Sequence, residues 1–284
     1  MERILFGDNQ FFAVNHLSDE KSRVQAIKFR DTSAIMDILG YVNDIGIKTF
    51  MCTTHDRILE VCDYIRADKE KYKDFKIYPC MPYAHKYANA VTDFGIIGAL
   101  KQYLPGNIFS TFAKGGLAVA TKDYIKMMEL LIDSEMKMFK GIETPVIFIQ
   151  NVLTDLILGL GMHDVFIAYA DYIKSKFFAE PGFITMNLPL LSMTLNSCGI
   201  ENPIICASIN KLGFRMTGGI EENEKVINEG KCRVIAMQVL AAGALYPEEA
   251  LKYVNSLSGI KSILFGSSTK SHIKQVQNLI HQRG

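Results

Sequence analysis

The stretch 233–275, RVIAMQVLAAGALYPEEALKYVNSLSGIKSILFGSSTKSHIKQ, contains an apolar run, a helical pattern and a second apolar run. The apolar runs, 232–240 and 259–266, have the length and the β-branched content of buried strands. Between them, Pro247 suits the first turn of a helix, and the two glutamates that follow complement the positive end of a helix dipole. The stretch therefore predicts two parallel strands joined by a helix.

The same pattern recurs along the chain, with amphipathic segments such as 35–42 between the apolar runs. Strands that are apolar throughout are typical of a parallel sheet that is buried on both faces. Eight such units in 284 residues predict an α/β protein with a closed (β/α)8 TIM barrel. An open sheet is less well supported, because no glycine fingerprint follows the first strand. The predicted strands are 3–8, 47–54, 75–81, 145–151, 182–187, 203–210, 232–240 and 259–266.

The composition argues against several classes of protein. A formal net charge of +1 without a dense basic block predicts neither nucleic-acid nor membrane-surface binding. The six cysteines form no CxxC pair, so neither a zinc site nor a disulfide framework is expected. The first residues lack the pattern of a signal peptide, and no apolar run is long enough to span a membrane. We expect a cytoplasmic protein with reduced thiols.

The connection between the third and fourth predicted strands, 82–144, is much longer than the others. Loops longer than ~15 residues are uncommon unless they carry a function. We predict a single domain, 1–284, in which a helical insertion, 88–142, forms a lid or a partner surface. Such a surface would also allow a homo-oligomer.

Functional residues of a barrel lie where the strands end, because the βα loops meet at that rim. Four polar residues there, together with a lysine after the sixth strand that could form a Schiff base, are candidates for proton transfer or covalent chemistry. Histidines follow three strands, but without an HxH pair we predict no metal site. The candidate catalytic residues are Asp8, His55, Tyr83, His85 and Lys211. The candidate substrate-binding residues are Gln150, Asn151, Asn187, Asn210, Arg215 and Gln238.

The loops after the last two strands are the customary phosphate site of this fold, since backbone N–H groups and a helix N-terminus converge there. Gly243 and Gly266 leave the backbone accessible, Ser267 and Ser268 offer hydroxyls, and Lys270 adds a charge. These residues predict a phosphate-bearing small molecule as the ligand. A structural alternative is that Ser267 or Ser268 caps the last helix.

The stretch 233–275 resembles the C-terminal part of the aldo-keto reductase superfamily, in which a final strand ends in a glycine-small-Ser turn. The opening residues, ILFGDNQFF, are similar to the family's first strand. The resemblance implies a TIM barrel and NADP or NAD as the cofactor. It places the phosphate side of that cofactor at Gly243, Gly266, Ser267 and Ser268, with Lys270 in the following turn.

The family's redox residues are not matched. Cys52 stands at the aspartate position after strand two, Gln150 stands at the histidine position, and strand three contains no lysine. NAD(P)-dependent carbonyl reduction therefore stands beside two alternatives. One is a lyase or isomerase that acts on a phosphorylated or anionic small molecule, through a Schiff base at Lys211 or through acid/base groups. The other is a non-catalytic binding protein that uses the insertion.

Overall fold

Eight parallel strands form a closed barrel in the computed structural model, which describes residues 1–13, 19–83 and 123–282. The strands pair in chain order, and β1 closes the barrel against β8 through the Leu5–Leu264 register. Each predicted strand is present, so the TIM-barrel prediction is confirmed. The strands are β1 (Ile4–Gly7), β2 (Thr49–Thr53), β3 (Lys76–Met81), β4 (Val146–Ile149), β5 (Glu180–Thr185), β6 (Ile204–Ser208), β7 (Arg233–Met237) and β8 (Ile260–Phe265).

Helices cover the outside of the barrel, and most follow a strand directly. In chain order they are α1 (Asp19–Lys28), α2 (Thr32–Asp44), α3 (Asp56–Ala67), α4 (Asp123–Met136), α5 (Asn151–Gly159), α6 (His163–Phe177), α7 (Leu188–Ser197), α8 (Gly219–Glu229), α9 (Pro247–Ser256) and α10 (Lys270–His281). Short 3-10 helices lie at Asn9–Phe12, Lys137–Phe139 and Ala241–Gly243. As predicted, Pro247 lies in the first turn of α9.

Two apolar regions hold the barrel together. The larger one lies between the strands and the helices, and the smaller one fills the barrel interior. In the interior, Phe148 of β4 stands opposite Gly182 of β5, and a Cβ at that glycine would come within 2.4 Å of the ring. The Phe148 ring fills the space that Gly182 leaves free, so the narrow interior is closely packed.

The N-cap of the last helix is not one of the two serines, Ser267 and Ser268, that the sequence suggested. Thr269 is its N-cap, and the threonine side chain accepts a hydrogen bond from His272 N at 3.4 Å. Ser267 and Ser268 precede the cap and are not capping residues. The buried residues of α10 include Ile273, Val276 and Ile280.

The predicted insertion, 88–142, lies mostly outside the described residues, and its role stays a prediction. Its described end contains α4, in which Ile132 is buried against the core. Among the described residues, no helix combines the length and the apolar character needed to cross a bilayer.

Candidate active site at the barrel mouth

A cavity of about 590 Å³ opens at the carboxyl ends of the strands. The size suits a small molecule. All eight strands, or the residues that directly follow them, contribute to its walls, and β5 does so through Ile184 and Met186. Of the residues predicted from the sequence, Asp8, Tyr83, Gln150, Asn151, Arg215, Gln238, Gly243 and Gly266 line this cavity.

Asp8 is the buried acid of the cavity. It follows β1, is 6% exposed, and accepts two hydrogen bonds at Oδ2 from the backbone N and the hydroxyl of Thr53, each 2.7 Å long. Burial raises the pKa of the Asp8 carboxyl, and the hydrogen bonds from Thr53 oppose that rise. Desolvation is the larger effect, so the carboxyl holds its proton to a higher pH than an exposed aspartate does.

Tyr83 follows β3 and lies in the electrostatic field of Asp8. Burial raises the pKa of the Tyr83 phenol, and the negative charges of Asp8 and Asp56 add to the rise. At neutral pH the phenol is protonated and acts as a hydrogen-bond donor. The Tyr83 backbone N donates to Oε1 of the buried Glu135 at 3.3 Å, which ties the loop after β3 to α4.

His55 packs beside Tyr83 but does not line the cavity. Its ring stacks on Phe12 with centroids 4.1 Å apart, and it lies 5.7 Å from the Tyr83 ring. Its Nδ1 accepts a hydrogen bond from Arg57 N at 3.2 Å, so the ring also caps α3. Since Nδ1 is the acceptor, a proton of the ring lies on Nε2. His85, the remaining histidine predicted for catalysis, lies outside the described residues.

Arg215 provides the positive charge at the mouth. It is exposed and adopts a left-handed backbone conformation, with φ at 55°, and its guanidinium lies 5.4 Å from the Phe214 ring. Among the described residues, no carboxylate comes within salt-bridge distance of it. Asn210 braces this loop rather than facing a ligand, because its side chain is bonded to both the N–H and the carbonyl of Phe214.

The loop after β7 has an unusual backbone. Gln238, Ala241, Ala242 and Gly243 all have positive φ, between 46° and 97°. The left-handed conformation costs energy in the non-glycine residues. The N–H groups of Ala241 and Gly243 are bonded within the loop, to the carbonyls of Gln238 and Leu240 at 2.8 Å. Phe214 packs on this loop, so Arg215 and the loop form one wall of the cavity.

The loop after β8 differs from the phosphate cradle that the sequence predicted. Only Gly266 of its predicted residues lines the cavity. Ser267 makes turn contacts with Thr269, and the Ser268 carbonyl accepts from Lys28. Lys270 points to the outside of the barrel, where it pairs with Asp37 of α2 at 2.7 Å. Because Lys270 is paired with a neighbouring helix, its charge lies away from the mouth.

Two other predicted residues also lie apart from the cavity. Lys211 is exposed and pairs with Glu249 of α9 at 2.7 Å, so it is neither desolvated nor directed at a substrate. Asn187 caps α7 through a hydrogen bond from Leu190 N to its Oδ1. Both residues follow strand ends, as predicted, but Lys211 forms an ion pair on the surface and Asn187 caps a helix.

The amide side chains of the cavity wall are partly fixed by the protein. Gln238 accepts a hydrogen bond from Ser208 Oγ at 2.7 Å, and Gln150 Nε2 lies 3.4 Å from the Cys80 carbonyl. Asn151 begins α5 at the rim. Burial also raises the pKa of the Cys80 and Cys206 thiols that line the cavity, so they stay protonated and inert.

The candidate residues chosen from the sequence leave out several residues of the site, among them Gln10, Gln25 and Glu135. Gln10 and Gln25 line the cavity, and Glu135 supports Tyr83 and Thr54 from behind. Gln10 follows β1 directly, so its position at a strand end was a usable signal. Gln25 and Glu135 come from helices, and nothing in their sequence surroundings distinguishes them from other polar helix residues. Among the described residues, no three histidine, cysteine or acidic side chains come together as a metal site would require.

Comparison with solved structures shows the same fold over the whole chain. Two structures of proteins from Pseudomonas aeruginosa, each named as a "putative aldo-keto reductase", cover 99% of this chain. The first has a TM-score of 0.62 at 10% identity over 91% of its own length, and the second has 0.64 at 11% over 90%. At this identity the likeness shows the barrel fold. No protein-family model and no curated protein sequence matches the chain.

Proposed function

We propose that this protein is an enzyme that transfers a proton at a carbonyl or hydroxyl group of a small anionic molecule bound in the barrel mouth. The observation that carries the proposal is Asp8, a buried carboxyl on the cavity wall whose pKa is raised by burial. A general acid or base works best when its pKa lies near the working pH. An ordinary exposed aspartate is too weak a base for that role, and burial moves Asp8 in the required direction.

Tyr83 complements Asp8 as a hydrogen-bond donor. Its raised pKa keeps the phenol protonated, so it stabilises negative charge on a substrate oxygen without giving up its proton. His55 packs against the Tyr83 ring, with the ring centroids 5.7 Å apart. The protonated donor and the carboxyl that exchanges a proton are thus different groups.

Arg215 and the left-handed loop after β7 are proposed to hold the anionic part of the ligand. The guanidinium binds carboxylate or phosphate through paired donors, and the open space beside Gly243 lets the ligand approach the loop on the same wall. This proposal moves the anion site from the loop after β8 to the loops after β6 and β7.

NAD(P)-dependent carbonyl reduction is the first reaction to test, because the fold is shared with proteins named as aldo-keto reductases. When bound, such a cofactor supplies a hydride to the carbonyl carbon. Asp8 would then give the proton to the carbonyl oxygen. Gly243 fits an approaching phosphate, since no atom lies within 4 Å of the place of its missing Cβ. Arg215 would hold the phosphates beside that loop, and Lys270, which is paired with Asp37, would not.

A cofactor-free isomerase or lyase is the second candidate. It is favoured by the same raised pKa of Asp8, since the proton transfer needs no hydride. The Schiff-base form of that candidate has no geometric support, because Lys211 is solvent-exposed and ion-paired outside the cavity.

The test compares Asp8→Asn with a matched control, Asp155→Asn. Asp155 is also a carboxyl with a pKa raised by burial and a threonine partner, but it does not line the cavity. Binding is measured first, as thermal shifts with NADPH, NADH and sugar phosphates. A ligand at 100 times its Kd stabilises the fold by about 2.7 kcal/mol.

Turnover is then followed with the ligands that bind. We expect Asp8→Asn to lower kcat by about 10²–10⁴-fold, while Asp155→Asn stays near wild type. A response to NADPH supports the reductase, and a response to sugar phosphates alone supports the isomerase or lyase. Equal activity of the two variants would refute the role of Asp8, and silence of the whole panel would favour a binding protein.

A further inference from the structure

One corner of the mouth, between β1 and β8, contains glutamine side chains whose oxygens are buried without partners. We call it the amide corner and define it by Gln10, Gln25 and Gly266, all of which line the cavity. In the part of the chain that the structure describes, Oε1 of Gln10 and Oε1 of Gln25 are buried without a hydrogen-bond partner. Buried polar atoms are almost always paired, so two in one corner call for an explanation.

The orientation of the Gln10 amide is fixed by the protein. Its Nε2 donates a 2.7 Å hydrogen bond to the Gly7 carbonyl, and the side chain is 4% exposed. Rotating the amide by half a turn would set its oxygen against that carbonyl oxygen and lose the bond. The orphaned atom is therefore an acceptor, and the corner offers an oxygen rather than an N–H group.

Gly266 leaves the space that Gln10 Oε1 occupies. A Cβ at residue 266 would lie 2.1 Å from Oε1, which is closer than atoms can approach. Any other residue would force the amide to move. The glycine that the sequence suggested as a phosphate contact thus admits a side-chain oxygen, and that oxygen would repel an anion.

The rest of the wall fits an uncharged, hydrogen-bonding ligand part. Among the described residues that line the cavity, only Asp8 and Arg215 carry a formal charge. Carboxamides are more numerous, and each presents a donor and an acceptor, as a hydroxyl group does. The lining carboxamides are Asn9, Gln10, Gln25, Gln150, Asn151 and Gln238.

We infer that the amide corner binds a sugar-type hydroxyl group, which donates to Gln10 Oε1, and that it excludes anions. The inference rests on the proposed function only in placing the ligand in the same mouth. The hydroxyl belongs either to the substrate or to the ribose of a nucleotide cofactor. Gln10 is then a binding residue that selects an uncharged donor in this corner, whereas Arg215 is proposed to bind the anionic part of the ligand.

The test uses two variants that alter the amide corner in different ways. Gln10→Met removes the oxygen, and Gly266→Ala displaces it while leaving Gln10 in the chain. Gln275→Met and Gly159→Ala are matched controls, because Gln275 bonds Glu248 on the outer surface and no atom lies near a Cβ at Gly159. Dissociation constants for D-ribose, D-glucose, glycerol and inorganic phosphate are measured by NMR titration.

We expect Kd for at least one of the three hydroxyl probes to rise at least tenfold in both corner variants, which corresponds to 1.4 kcal/mol, and to stay unchanged in the controls. Phosphate binding is expected to be the same in all five proteins. Competition of the bound hydroxyl probe with NADPH would assign the hydroxyl to the cofactor, and simultaneous binding would assign it to the substrate.

The inference is overturned if none of the hydroxyl probes binds the wild type at millimolar concentrations, or if the corner variants bind them as the controls do. Phosphate that competes with a hydroxyl probe and is weakened by Gly266→Ala would also overturn it. None of these measurements needs turnover. If the hydroxyl probes do not bind but Asp8→Asn still lowers turnover, the proposed function is supported and the inference about the amide corner is refuted. If the probes bind as expected but Asp8→Asn has no effect, the inference is supported and the role of Asp8 is refuted.

Discussion

Thr53→Val tests how the protein holds its buried acid. The backbone N and the hydroxyl of Thr53 both donate to Oδ2 of Asp8 at 2.7 Å, and valine keeps the shape and the backbone donor but loses the hydroxyl. A hydrogen bond to a charged group contributes roughly 1.5–3 kcal/mol. We expect the free energy of unfolding at neutral pH to fall by about that amount. Because the hydroxyl lowers the pKa of Asp8, its loss raises that pKa further.

The sign of the pH dependence follows from the direction of the shift. A carboxyl whose folded pKa is raised favours folding fully below its ordinary pKa of 3.8, and this contribution is lost as the pH rises through the raised pKa. The destabilisation by Thr53→Val is therefore expected to be largest at neutral pH and smaller in acid, where Asp8 is protonated in both proteins.

Urea unfolding across that pH range measures the difference, and the carboxyl carbon of Asp8 can be titrated directly by NMR. Thr53→Ser, which keeps the hydroxyl, should titrate like wild type. Thr185→Val removes the equivalent bond to Asp155 and should leave Asp8 unchanged. A variant Thr53→Val with an unchanged or lowered Asp8 pKa would refute the account of the site.

Three further predictions follow from the barrel, its surface and its acid. Gly182→Ala would bring a Cβ within 2.4 Å of Phe148, so we expect about 1–3 kcal/mol of destabilisation in urea unfolding, and no loss would contradict the packing. Lys211→Met should change turnover little and stability by at most ~1 kcal/mol, because the Lys211–Glu249 pair is exposed; trapping of a substrate on Lys211 by borohydride would disprove this. Asp8→Asn should flatten the pH dependence of unfolding above the ordinary aspartate pKa, and a profile as steep as wild type would show that Asp8 does not titrate there.

The strands and the identity of many rim residues could be predicted because both depend on local order. Continuous apolar runs separated by helical segments mark the strands, and the residue that follows a parallel strand lies at the rim by geometry. Asp8, Tyr83 and Arg215 were found in that way, and all three line the cavity. The cysteines of the strands, such as Cys52, lie within the apolar runs, and the structure shows Cys52 buried.

The roles of the long side chains could not be read in the same way. Lys270 and Lys211 stand where the sequence placed them, but their ammonium groups bind Asp37 and Glu249 on neighbouring helices. Asp37 is distant from Lys270 in the sequence, and Glu249 belongs to a helix that Lys211 does not precede directly. A long, flexible lysine side chain at the rim can place its ammonium group in the cavity or on the outer surface. Which of the two it adopts depends on the residues that pack beside it.

The sequence by itself determined the barrel, because the period of apolar residues fixes which segments can be strands and how helices must cover them. Tertiary structure alone decided which polar atoms of the rim face the cavity and which are already bonded. Gln10 shows the difference: its place after β1 is local information, whereas its unpaired oxygen depends on Gly7 holding its nitrogen and on Gly266 leaving it room. Those contacts exist only once the first and last strands of the chain lie side by side.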